Sequence, residues 1–119
     1  MDLEESEPTA PLSRVVVMDQ ELPETLGVRR GEIRRITMAP GFAAGLHVHN
    51  GPVFGSIETG SVVYQIEGSA EVVLGPGDVF YEPEGARIAR FDARAEGVTF
   101  LGYFLLADGV DAGIVFPES

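Results

Sequence analysis

Three features of the sequence predict an all-β fold, a sandwich or a barrel. Short apolar runs recur at close, even spacing. Each is bounded by Gly, Pro, Asp or Asn. No segment carries a convincing 3.6-residue apolar period. A jelly roll or closed barrel removes the exposed edges that so many strands would otherwise present.

The strands follow from the apolar runs in chain order. They are expected at Arg14–Met18, Glu32–Met38, Leu46–His49, Val53–Ile57, Val62–Ile66, Glu71–Leu74, Val79–Tyr81, Arg87–Phe91 and Val98–Leu106. The breaks are "APG", "NGP", "ETG", "EGS", "GPGD", "EPEG" and "ADG". Each contains residues that accept positive φ or fix φ in a turn. The stretch "MDQELPETLG" has room for one helical turn at most. "RRGEIRR", Arg29 to Arg35, is expected in an exposed hairpin. Residues 1–13 carry Asp2, Glu4, Glu5 and Glu7 with two prolines and few large apolar groups, which predicts a disordered acidic tail. Residues 14–119 are then the single domain, with no internal repeat or dividing linker.

Composition excludes several chemistries. A chain of 119 residues can bury roughly two-thirds of its unfolded surface. The formal net charge of −11 repels phosphate backbones and anionic lipid, so no nucleic-acid or membrane partner is expected. No apolar run approaches the ~20 residues of a membrane span, and the acidic N-terminus lacks the apolar core of a secretory signal. A cytoplasmic location is therefore expected. There is no cysteine, so disulfides, thiolate ligands and cysteine nucleophiles are absent. All eight basic residues are arginine, which rules out a lysine Schiff base. No phosphate loop or nucleophile elbow is present.

The only two histidines are His47 and His49, in "GLHVHNGPVF". Residues two apart on a strand share a face, with Cα atoms roughly 6.5–7 Å apart, so both imidazoles can reach one ion. The surrounding spacing adds to this. Gly41 precedes His47 by six positions, Val53 follows His49 by four, and Gly60 follows Val53 by seven. Farther along come Gly77, Pro83, Gly85, Ile88 and Asp92.

This pattern resembles the two motifs of the cupin superfamily, G-x5-H-x-H-x3–4-E-x6-G and G-x5-P-x-G-x2-H-x3-N, over roughly residues 30–107. "GPGDVFYEPEG" is especially close to the second motif. The resemblance implies a small jelly-roll β-barrel. It also implies a homodimer, since cupins commonly pair through N-terminal strands, and an interior site for one divalent metal such as Fe, Mn, Zn or Ni. The chain departs from the pattern at two ligand positions. Val53 stands where the family has glutamate, and Ile88 where it has the last histidine. Asp92 replaces the usual asparagine.

Two neutral nitrogens alone hold a metal weakly or not at all, because catalytic zinc keeps three protein ligands and the non-haem iron triad adds a carboxylate. Glu82 and Gln65 are the candidates for a third ligand. Strand alternation turns Glu58 outward. Val53, Ile88, Arg90 and Tyr81 are expected to line the pocket, with Arg90 sharing the face of Ile88. Two aliphatic replacements make the cavity drier and suit a small, partly apolar molecule. The expected function is thus small-molecule binding at a His-x-His pair. The alternatives are a metal-dependent dioxygenase, cyclase or isomerase with a non-family ligand, and a non-catalytic sensor or structural protein.

Overall fold

The computed structural model describes residues 11–117, and they form seven strands and no helix. The strands are β1 Arg30–Met38, β2 Val48–His49, β3 Val53–Ile66, β4 Val72–Leu74, β5 Val79–Glu82, β6 Ile88–Leu106 and β7 Ile114–Val115. The tail expected at residues 1–13 falls mostly outside the described residues.

One five-stranded antiparallel sheet runs β1-β6-β3-β4, with β5 also paired to β3. β2 and β7 make a second, two-stranded ladder. The long strand β3 works in halves. Its first residues, Val53–Ser56, pair with β5, and Val62–Tyr64 pair with β4. Both halves also pair with β6, from Val53↔Phe104 to Ile66↔Ile88. The architecture is the all-β jelly roll expected from the spacing of turns.

Three sequence expectations are corrected. The runs Val53–Ile57 and Val62–Ile66 are one strand, as are Arg87–Phe91 and Val98–Leu106. The "ETG" break bends β3 without ending it: the register shifts between Ile57 and Thr59 and again between Gly60 and Val62. Gly60 has φ +76°, and a Cβ there would lie 2.0 Å from the Gly97 carbonyl oxygen, so the bend requires glycine. "RRGEIRR" lies mainly in the continuous strand β1, paired to β6 from Arg30↔Leu106 to Met38↔Val98. Over Arg14–Met18 no strand forms; Val15, Val16 and Val17 are exposed. β-branched residues favour extended backbone, but a strand also needs a ladder partner. β7, by contrast, was not anticipated, although "GIVF" carries its apolar signal.

The core lies on the inner face of the sheet. Met38, Ile57, Val62, Tyr64, Phe80, Ile88, Phe91 and Phe100 belong to one buried cluster. Phe80, Phe91 and Phe100 meet at centroid distances of 4.8–5.9 Å in tilted and edge-on arrangements, which favour the ring quadrupoles. Gly55 makes this possible. A Cβ at that position would lie 2.0 Å from the Phe80 ring.

Candidate metal centre

His47 and His49 are positioned by main-chain bonds to different neighbours. His47 exchanges both backbone hydrogen bonds with Ile88, at 3.1 and 2.8 Å. His49 pairs with Ile114 of β7, and its carbonyl accepts from Gly85 N–H at 3.1 Å. The intervening Val48 puts both imidazoles on one face, with ring centroids 5.1 Å apart and planes at 82°.

The third group is Glu82, the last residue of β5. Its direct cross-strand partner is Val53. Directly opposed residues of an antiparallel pair project to the same side of the sheet. Glu82 therefore enters the interior beside the position where the family motif carries its glutamate. The carboxylate thus stands across the strand pair from the motif position, which carries the aliphatic Val53.

Glu82 Oε2 lies 3.6 Å from His47 Nε2 and 3.4 Å from His49 Nε2. His47 and Glu82 are buried and His49 is partly buried, and their ligating atoms lie within 4.8 Å of one another. Oε2 is buried with no hydrogen-bond partner among the described residues. An orphaned carboxylate oxygen is costly, and a cation between the three groups would satisfy it. His47 is also set up for coordination. Its Nδ1 lies 2.8 Å from the Gly45 carbonyl. An N–H at Nδ1 donating to that oxygen leaves the Nε2 lone pair facing Glu82. The residues present thus fit a divalent ion through two nitrogens and one carboxylate.

Electrostatics point the same way. Burial pushes the Glu82 carboxyl up, but the two imidazoles facing it reverse the shift and leave it below the ordinary value. Burial pushes His47 down, whereas Glu82 and the Gly45 carbonyl raise it, and the net shift is upward. Burial, with the Glu82 charge second, raises the Tyr64 hydroxyl well above its usual range. That hydroxyl donates to the Tyr81 carbonyl at 2.9 Å.

The three groups open onto a cavity of about 220 Å³. Its other walls are apolar and include Ile36, Met38, Val53, Phe91, Phe100 and Phe104. Of the residues around the cavity, Val53, Glu82 and the two histidines carry a pocket or ligand expectation from the sequence. Alternation along β1 and β6 carried the signal for the rest.

The remaining expected site residues lie elsewhere. Ile88 is fully buried in the core and pairs with His47, and among the described residues no side chain replaces the histidine of the motif there. Gln65 donates to the Ser69 carbonyl on the exposed side. Tyr81 stacks on Phe54 at 5.0 Å, away from the cavity. Arg90 pairs with Asp92 at 2.8 Å and with Glu71, also outside it. Its expected alignment with Ile88 fails for a local reason. Gln65 faces Arg90 and Ile66 faces Ile88, so Ala89 is an extra residue on β6. This bulge reverses the parity between Ile88 and Arg90.

A family model described as Cupin domain matches residues 34–97. Solved structures give the same fold. A double-stranded β-helix protein from Klebsiella pneumoniae subsp. pneumoniae MGH 78578 aligns with TM-score 0.61 at 18% identity, over 79% of this chain and 80% of that one. A cupin-like protein from Thermotoga maritima MSB8 aligns with TM-score 0.62 at 21% identity, over 72% and 65%. A DMSP lyase from Ruegeria pomeroyi DSS-3 gives TM-score 0.64 at 21% identity, over 75% of this chain but 45% of the lyase. No curated protein sequence matches.

Proposed function

This chain belongs to the cupin family, and on that premise we propose that it is a metal-dependent protein acting on a small, partly apolar molecule at His47, His49 and Glu82. The observation that carries this reading is the buried, unpartnered Glu82 Oε2 facing both imidazoles. A third protein ligand supports the enzymatic alternative over simple binding, because three ligands leave coordination positions open for substrate. Among dioxygenase, cyclase and isomerase chemistries, a two-histidine, one-carboxylate set favours oxygen chemistry on iron.

When bound, a divalent ion supplies Lewis acidity at the wall of the cavity. The protein's own residues do the rest. Glu82 offsets part of the ionic charge in a low-dielectric interior. The Gly45 carbonyl holds the His47 ring in orientation. The apolar walls limit water and hold the body of the bound molecule.

Elemental analysis of protein purified without chelator tests the proposal. About one equivalent of transition metal per chain is expected, falling to near zero in His47→Ala and in Glu82→Gln. Wild-type protein that takes up none after incubation with Fe²⁺, Mn²⁺, Zn²⁺ or Ni²⁺ would refute it.

A further inference from the structure

We propose that the molecule bound here is a small monoanion, with a single charged head toward the metal and an uncharged apolar body. This rests on the metal reading above and follows from counting charges inside the barrel. A divalent ion held by two neutral imidazoles and one carboxylate keeps one unit of positive charge. Among the described residues, Glu82 is the only carboxylate lining the cavity, and no arginine lines it.

Several arginines in or beside β1 and β6 are already engaged. Arg34 stands 5.3 Å from the Phe104 ring centroid and is paired with Glu32. Arg90 is paired with Asp92 and Glu71. Arg35 pairs with Glu58 at 2.8 Å, and Arg87 with Glu67 at 2.8 Å. A dianion would therefore leave one negative charge unpaired against apolar walls, and burying an uncompensated charge is strongly unfavourable. The net charge of −11 adds a long-range field that also disfavours multiply charged anions. A neutral ligand would leave the residual positive charge without a partner.

Size and shape define the body. The cavity of about 220 Å³ lies below the ~300–1,000 Å³ typical of drug-sized ligands. It accommodates a body of about one ring. Phe42 and Ile114 line it and yet are 55% and 48% exposed, which marks where it opens. A ligand entering there meets apolar side chains before the metal-binding groups, so head and body are ordered along the path.

Calorimetric titration of the metal-loaded wild-type protein tests this with four probes: benzoate, benzamide, terephthalate and acetate. Benzoate is expected to bind at least about tenfold tighter than each of the others. Benzamide removes the charge, terephthalate adds one at the far end, and acetate removes the body. Ile114→Arg puts a second cation at the opening and is expected to shift the preference toward terephthalate by about tenfold. If metal loads but benzamide or terephthalate binds as tightly as benzoate, the charge assignment is wrong and the metal site stands. If acetate matches benzoate, the apolar body is wrong. If no probe binds the loaded protein, the proposed ligand class fails. Failure to load metal removes the charge on which the inference depends and overturns both readings.

Discussion

The two places where an aliphatic residue stands at a family ligand position behave differently. At Val53 the missing carboxylate is supplied by Glu82, directly across the β3–β5 pair. At Ile88 none of the described residues replaces the imidazole. The side chain is fully buried and joins the aromatic core, while its main chain pairs with His47. One wall of the barrel thus presents a carboxylate beside the motif position, and at the other the position belongs to packing. Cross-strand geometry can bring together a group of side chains that a linear motif does not show.

The largest expected effect comes from moving the carboxylate back. Glu82→Val should abolish metal binding, and Val53→Glu in the same chain should restore it to about one equivalent. A folded double variant without metal would show that the two positions are not interchangeable and would break the comparison. The second wall is tested by Ile88→Ala. It should cost about 2–5 kcal/mol in denaturant unfolding, as expected for a fully buried aliphatic, while metal content at permissive temperature stays near one equivalent. Loss of metal from a folded Ile88→Ala variant would mean that this wall serves the site as well as the core.

A smaller effect is expected from pH. His47 is raised above its ordinary 6.5. In the metal-free protein its stabilising contribution is fully present below pH 6.5 and disappears as pH rises through the folded-state value. Glu82 is lowered below its ordinary 4.5, so its contribution is present above that pH and is lost as pH falls through the folded-state value. The metal-free pair is therefore most stabilising between about pH 4.5 and 6.5. A metal competes with the proton on His47, so affinity should begin to fall above pH 6.5 as the solution is acidified. Metal titrations of the wild-type protein across pH would expose this, and NMR titration of the His47 ring in the metal-free protein, with Glu82→Gln for comparison, would test its cause. A midpoint of the ring unchanged by that substitution would separate His47 from Glu82.

Much of this was legible in the sequence, and the limits have a common origin. The turn residues gave the all-β class, while "ETG" misled because a glycine at positive φ can bend a strand as well as end it. Val15, Val16 and Val17 have strand-forming side chains but no ladder. Arg90 was placed with Ile88 because alternation is regular until a bulge interrupts it. Glu82 was one of two candidates for a third ligand. Gln65 was equally plausible until the paired strands were in place.

By itself, the sequence determined that this chain carries a cupin pattern, that His47 and His49 share a face, and that Val53 and Ile88 cannot coordinate. Those conclusions depend on spacing along a single strand or within a motif, where the two-residue repeat is a local property of extended backbone. Only the tertiary structure decided that Glu82 joins the histidines and that Arg90 does not enter the cavity. Both depend on register between strands distant in sequence. Register is set by bulges and by the whole hydrogen-bonded ladder, and it has no local signature.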